Sequence, residues 1–255
     1  MSRKIYMVGN WKMNQKLEEI RNFFDNVKEI RSDMKCECWI APQYIHIPII
    51  QEMANVRDKI KVGAQNCANH EKGAYTGEVS PIALKDLNVH FTIIGHSERR
   101  SIYKEEDKLL NEKTKLALET GLNVIFCVGE TLEEREEGNT MKVVKAQIIK
   151  GLEDLPSKYL SNLVVAYEPV WAIGTGKTAT PDQAQEVHAY IREEMKELFG
   201  ADGQNVSILY GGSVKPGNVA ELLDQPDIDG GLVGGASLKP DNYVALCKVA
   251  DEKSS

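Results

Sequence analysis

The chain is 255 residues long, 42% hydrophobic and 27% charged. That excludes a disordered or collagen-like polypeptide, and it is enough length to bury a full core without disulfide or metal staples. The 31 Lys and Arg against 38 Asp and Glu leave a net charge of −7, which argues against a basic nucleic-acid-binding face and requires any anionic small molecule to be held by placed cations and backbone N–H groups.

The segment 1–7 has two basic residues but no sustained apolar run, so no secretory leader is expected. No apolar run approaches the ~18 residues of a membrane span. The five cysteines, Cys36, Cys38, Cys67, Cys127 and Cys247, form no C-x-x-C pair and no zinc set. They read as reduced, mostly buried thiols, and the chain as soluble and cytoplasmic, with no membrane or nucleic-acid partner and no metal.

Short β-branched or apolar runs recur, each followed by a longer amphipathic stretch. They predict strands at 5–10, 37–41, 60–64, 91–95, 123–127, 163–168, 206–210 and 230–234. Most are near-continuous apolar runs, as parallel strands covered on both faces require. Helical stretches lie between them, including 113–121 and 142–152. The clearest opens with Thr180-Pro181-Asp182-Gln183, where Thr180 caps, Pro181 takes the first helical position and Gln183 reaches back. Ala184, Val187, Ile191, Met195 and Leu198 then mark one face of a helix that stops at Gly200. The acidic run 130–137 reads as a solvated helical face. Eight strand–helix alternations predict an α/β fold, a closed (β/α)8 barrel of eight parallel strands with outer helices rather than an open doubly wound sheet. No Pro/Gly/Ser-rich linker or composition break appears, so residues 1–255 read as one barrel domain.

In such a barrel chemistry sits where strands end and loops begin. The first strand runs into Gly9-Asn10-Trp11-Lys12-Met13-Asn14. Asn10 and Lys12 read either as a turn amide and a surface cation, or as an amide donor and a cation aimed at a substrate oxygen. The fourth runs into Gly95-His96-Ser97-Glu98-Arg99-Arg100. His96 opens a short helix whose positive end disfavours imidazolium, which predicts a neutral hydrogen-bond donor to a carbonyl. Glu98 reads equally as a helix-start acid or as an acceptor for a cation such as Lys12.

The sixth strand ends in Tyr167-Glu168-Pro169-Val170-Trp171-Ala172-Ile173-Gly174-Thr175-Gly176-Lys177. A carboxylate finishing an apolar run is costly unless it is hydrogen-bonded or has a function. Apolar surroundings predict a raised pKa for Glu168 and a stronger base near neutral pH. The segment after it, rigid at Pro169 and Gly-containing further on, reads as a lid with Trp171 as its apolar cover. It is not a P-loop, since Trp171 stands where that motif needs Gly. It is not a dinucleotide fingerprint either, since it starts several residues past the strand. The seventh strand ends Tyr210-Gly211-Gly212-Ser213-Val214-Lys215, which is no nucleophile elbow because Lys215 stands where Gly is needed. The eighth ends Gly230-Gly231-Leu232-Val233-Gly234-Gly235-Ala236-Ser237. Glycine clusters at these two strand ends predict an anion cradle for phosphate.

These blocks, in their order and over essentially the whole chain from Lys4 to about Ala250, resemble the triosephosphate isomerase family. The resemblance implies a TIM barrel that interconverts dihydroxyacetone phosphate and D-glyceraldehyde 3-phosphate through an enediolate, without metal or organic cofactor, in glycolysis and gluconeogenesis. It implies Glu168 as the base, neutral His96 as the electrophile and proton shuttle, Lys12 as the positive charge, Asn10 as a holder of the substrate oxygens and Glu98 as the group that positions Lys12 or His96. Backbone N–H groups of Gly174, Ser213, Gly234 and Gly235 would hold the phosphate. Pro169, Val170, Trp171, Ala172, Ile173, Thr175, Gly176 and Lys177 would form the lid.

The resemblance also implies a homodimer. Gly73-Ala74-Tyr75-Thr76-Gly77-Glu78-Val79-Ser80 is similar to the family's interlocking loop, with Thr76 approaching the partner's Asn10 and Lys12. Tyr75 departs from the Phe expected there and adds a hydroxyl. Two classes compete: a chiefly structural dimer or adhesion role, which nothing in the sequence supports, and a non-catalytic phosphosugar-binding barrel. Loss of Glu168 or His96 would favour it, and both are present.

Overall fold

The computed structural model describes residues 3–55, 59–173 and 179–254. Strands β1 (Tyr6–Asn10), β2 (Glu37–Ala41), β3 (Ile60–Ala64), β4 (Phe91–Ile94), β5 (Asn123–Val128), β6 (Leu163–Tyr167), β7 (Ser207–Tyr210) and β8 (Gly230–Val233) are the apolar runs read from the sequence, with ends shifted by at most one residue. They pair in parallel in chain order and close through β1 and β8, with Tyr6 opposite Gly230 and Gly9 opposite Val233. The predicted closed parallel barrel is therefore the observed one.

Around it run α1 (Leu17–Asn26), α2 (Ile47–Asn55), α3 (Pro81–Asp86), α4 (Ser97–Ser101), α5 (Asp107–Glu119), α6 (Leu132–Glu136), α7 (Thr140–Gly151), α8 (Pro181–Phe199), α9 (Val219–Leu223) and α10 (Pro240–Lys253). The start of α8 follows its sequence signature. Thr180 Oγ1 accepts the Gln183 N–H at 3.2 Å, Gln183 Oε1 accepts the Thr180 N–H at 3.1 Å, and the chain leaves the helix at Gly200 with φ 63°. Ala184, Val187, Ile191 and Met195 are buried as expected, but Leu198 is exposed. Leu198 keeps the same face of α8 but lies in its last turn, next to the helix end at Phe199.

Strand periodicity divides the core in two. Tyr6, Val8, Trp39, Phe91, Ile93, Ile125, Cys127, Val164, Ala166, Leu209 and Leu232 pack together inside the barrel. Their neighbours in sequence, such as Met7, Val124, Phe126, Val165 and Ile208, pack outward with the helices. The N-terminal end of the barrel is filled by Trp39, which stacks on Phe91 at 4.6 Å and meets the Tyr6 ring edge-on at 4.9 Å. The opposite end is left for polar side chains. All five cysteines are buried free thiols, as the spacing predicted. No helix among the described residues is long and apolar enough to cross a membrane.

Candidate active site

Counting by twos from the last inward-facing residues reaches Asn10 and Lys12 after Val8, Glu168 after Ala166, Gly211 after Leu209 and Gly234 after Leu232. The alternation that fills the barrel thus carries these residues to its C-terminal mouth. There they line one cleft of about 260 Å³ together with His96, Ile173, Ser213, Val214, Lys215 and Gly235. A cleft of this size suits a small phosphorylated molecule rather than a dinucleotide.

Glu168 is 2% exposed and both its oxygens are engaged. Oε1 lies 2.9 Å from His96 Nε2, and Oε2 accepts the Ser97 N–H at 2.9 Å. On the ring's other side Nδ1 accepts the Glu98 N–H at 3.2 Å, so the proton of the imidazole is carried on Nε2 and faces Glu168. Burial pushes the Glu168 carboxyl up, but His96, the Ser97 N–H and Lys12 together outweigh it and hold the pKa below the ordinary value. Burial likewise pushes His96 down, and the charge and hydrogen bond of Glu168 overcome it and raise the pKa. Both directions are opposite to those expected from the sequence, where the apolar run and the helix start were visible but the pairing of the two side chains was not.

The peptide of Glu168 is held as closely as its side chain. Its N–H donates to Val128 O at 2.8 Å, and glycines stand on either side. A Cβ on Gly129 would lie 1.8 Å from Glu168 O, and one on Gly211 would lie 2.7 Å from Glu168 Cγ. Neither position accommodates a side chain while Glu168 keeps this place.

Lys12 occupies left-handed backbone at φ 50°, a conformation that costs a non-glycine residue on the order of 1 kcal/mol. It is fixed there by three contacts. Asn10 Oδ1 accepts its N–H at 3.1 Å, Gln65 Nε2 donates to its carbonyl at 2.8 Å, and its ammonium donates to Glu98 Oε1 at 2.8 Å. The Gln65 Nε2 also donates to Ala41 O at 2.9 Å, which ties the loop after β1 to the end of β2. Both readings open for Glu98 are met, since it lies in the first turn of α4 and its carboxylate accepts from the Lys12 ammonium.

The segment after Glu168 begins as a short turn, Val170–Ala172, anchored to the loop after β5. The Val170 N–H donates to Glu130 O at 3.1 Å. Glu130 Oε1 accepts from Trp171 Nε1 at 2.9 Å, Tyr167 OH at 3.1 Å and Arg135 at 3.1 Å, while the Arg135 guanidinium lies 4.8 Å from the Trp171 ring centre. Glu130 is fully buried, which corrects the reading of 130–137 as a solvated face. Leu132, Glu133, Glu136 and Glu137 are exposed, but Glu130 precedes α6 and turns inward to three donors. Ile173 reaches the cleft. Gly174, Thr175, Gly176 and Lys177 lie outside the described residues.

The structure thus brings Asn10, Lys12, His96, Glu168, Ser213, Gly234 and Gly235 together, with Glu98 beside them. Tyr75 and Thr76 sit on an exposed loop, with the Tyr75 ring stacked on His70 at 3.8 Å, and do not line the cleft. Gln65, Gly129 and Glu130 were not singled out from the sequence. All three follow directly on the apolar runs of β3 and β5, so the strand-end criterion, applied there too, finds them.

A closed parallel barrel whose mouth converges a carboxylate, an imidazole and an ammonium group on one small cleft is an enzyme built for proton transfer. The sequence profile of the triosephosphate isomerase family matches residues 5–250. The triosephosphate isomerase of Chloroherpeton thalassium is 47% identical over 252 residues, covering 98% of this chain and 100% of the relative. That of Carboxydothermus hydrogenoformans is 49% identical over 96% of this chain and 98% of its own length, and that of Chlorobium phaeobacteroides 49% identical over 97% and 99%. The chain belongs to the triosephosphate isomerase family, and the enzyme class is that of an isomerase, an intramolecular oxidoreductase.

Proposed function

We propose that the chain interconverts dihydroxyacetone phosphate and D-glyceraldehyde 3-phosphate in the cytoplasm, as a step of glycolysis and gluconeogenesis, with Glu168 as the base. The observation that carries this reading is the buried Glu168–His96 pair, 2.9 Å apart, facing the same cleft as Lys12 and the glycine loops. Glu168 removes a proton from the carbon beside the carbonyl, and the C–H electron pair becomes the C=C bond of an enediolate. The charge that develops on the former carbonyl oxygen is met by the Nε2–H of His96 and by the Lys12 ammonium, with Asn10 holding the oxygens. Glu168 then returns the proton to the former carbonyl carbon, while His96 relays a proton from the hydroxyl oxygen to the former carbonyl oxygen, so the C=C pair forms the new C–H bond and the other carbon becomes the carbonyl. Fixed donors of this kind lower the barrier because they need no reorganisation as charge appears.

In the structure Glu168 is tethered to Ser97 and His96, so it must turn from them to reach a substrate carbon. Turning removes two of the influences that hold its pKa down and leaves burial in place, so substrate binding strengthens the base. The backbone N–H groups of Ser213, Gly234 and Gly235, joined by Gly174, receive the phosphate. Segment 169–177 closes over it and keeps the enediolate from losing phosphate to water. Glu98 keeps the Lys12 ammonium aimed inward.

We also propose a homodimer. Met13, Ile45, Tyr75, Ile82, Ile102 and Tyr103 are large apolar side chains left exposed, with Met13 at 86%. Removing such surface from water stabilises association. Thr76 would then approach the partner's Asn10 and Lys12 and complete the mouth of the cleft.

The test is turnover of D-glyceraldehyde 3-phosphate by the purified protein beside Glu168→Gln. The expected result is fast turnover in the wild type and a loss of kcat of at least about 100-fold in the variant, in the range of general base catalysis, with phosphate-ligand binding retained. No turnover by a wild type that still binds phosphate ligands would replace this reading by a non-catalytic phosphosugar-binding barrel.

A further inference from the structure

We propose that Gln147 is a positioning residue for the base, and that it acts as a substitute strand partner at an edge of β5 that no strand among the described residues covers. This rests on Glu168 being the base. The last β5–β6 pair is Val128 with Tyr167. Beyond it the two chains go on pairing as a parallel ladder does. The Glu168 N–H donates to Val128 O at 2.8 Å and the Val170 N–H to Glu130 O at 3.1 Å. Successive residues of a strand turn their N–H and C=O groups to alternate neighbours. Those of Gly129, between Val128 and Glu130, therefore face away from β6, toward the side of β4. But β4 pairs with β5 only as far as Ile94 with Phe126, and the chain then turns into α4.

Gln147 of α7 fills the gap. Its Oε1 accepts the Gly129 N–H at 2.8 Å and its Nε2 donates to Gly129 O at 3.1 Å, so one side-chain amide makes both bonds that a neighbouring strand would make. Arg100 of α4 serves Cys127, the previous residue of the same phase, by donating to its carbonyl at 3.1 Å.

Gly129 is the point of contact with the base. The 1.8 Å approach that a Cβ there would make to Glu168 O means that the two peptides already touch, so a shift of Gly129 passes to Glu168 without an intervening side chain. A cavity of about 190 Å³ lined by Gly129, Gln147, Ser97 and Glu168 lies behind the base, away from the substrate cleft. Without the amide, Gly129 has room to relax into it. Gln147 itself lines no part of the cleft and touches no substrate position.

The experiment is steady-state kinetics of Gln147→Met, which keeps chain length and loses both hydrogen bonds, and of Gln147→Glu, with folding checked by circular dichroism and thermal melting. The expected result for Gln147→Met is a kcat lowered about tenfold with KM within about twofold of wild type, since a displaced base weakens the reaction and leaves substrate binding intact. In Gln147→Glu the introduced carboxylate opposes the Gly129 carbonyl. On protonation it regains a donor, so the ratio of its kcat to that of the wild type rises as pH falls. That ratio is flat if the side chain only supports the fold, and it decides the matter should Gln147→Met fail to fold. A folded Gln147→Met with wild-type kcat, a change confined to KM, or a flat ratio overturns the proposal. Glu168→Gln is run alongside. If it keeps turnover, the base assignment itself falls, whereas its loss together with a fully active Gln147→Met removes only the positioning role.

Discussion

At the scale of single residues, the proposed chemistry turns on one carboxylate with two environments. In the unliganded site Glu168 is bound by His96 and by the Ser97 N–H, which hold its pKa below that of an ordinary carboxylate despite burial. A lowered pKa means that the carboxylate form, the one competent as a base, persists until pH falls through that lowered value. The acid limb of kcat/KM reports the free enzyme. The Glu168 limb is therefore predicted on the acid side of an ordinary carboxylate, once the second ionisation of the substrate phosphate, at about 6, and the titration of its partner His96 are factored out. The limb of kcat reports the complex, where the tethers are released, and is predicted at higher pH. A kcat/KM profile whose enzyme limb lies above the ordinary carboxylate value would mean that the tethered arrangement is not the resting state. Lys12 is constrained in the same spirit. Its φ of 50° is maintained by Asn10, Gln65 and Glu98, so the cation has one orientation before substrate arrives.

At the scale of elements, strands were legible because they are buried on both faces. The runs at β1 to β8 leave no ambiguity of face, and turn residues bound them. The start of α8 was legible because capping is local, with Thr180 and Gln183 satisfying each other's backbone N–H groups within one turn. The candidate residues were legible for a related reason. A polar side chain that ends an apolar run and keeps the strand's inward phase must face the barrel mouth, which is where Asn10, Lys12 and Glu168 are found. What was not legible depends on partners distant in sequence. Glu130 looked like the first member of a solvated acidic helix, and its burial follows only from Tyr167, Arg135 and Trp171 converging on it. The pKa directions of Glu168 and His96 were read the wrong way for the same reason, since the two residues are 72 positions apart in the chain and 2.9 Å apart in space. Gln147 is a polar residue on an amphipathic helix, and nothing in its surroundings in the sequence indicates that it completes the edge of β5.

At the scale of the whole molecule, the chain carries −7 yet is proposed to receive an anion, so attraction must be local. Lys12 and Lys215 line the cleft and supply it. The fold closes its ends on itself through charge. Arg192 of α8 is nearly buried between Asp227, at 3.1 Å, and Asp229, at 2.7 Å, and Arg3 reaches Asp229 at 2.7 Å, so the start of the chain is fastened beside β8. The apolar side chains that remain exposed predict self-association. Sedimentation equilibrium at micromolar concentration is expected to give twice the mass of one chain, and Thr76→Arg, which in the proposed dimer would place a cation toward the partner's Lys12, is expected to shift the protein to monomer and lower turnover. A wild type that sediments as a monomer contradicts the dimer.

The central claim is that Glu168 carries a proton from one carbon to the next through an enediolate. The most direct measurement is the fate of hydrogen when the reaction runs in deuterium oxide, followed by nuclear magnetic resonance of substrate and product. A proton held on a carboxyl group exchanges with solvent, so the account predicts deuterium on the carbon that receives the proton, with both turnover and labelling lost in Glu168→Gln. Conversion with no deuterium at that carbon at any extent of reaction, or turnover and labelling that persist in Glu168→Gln, would contradict the account.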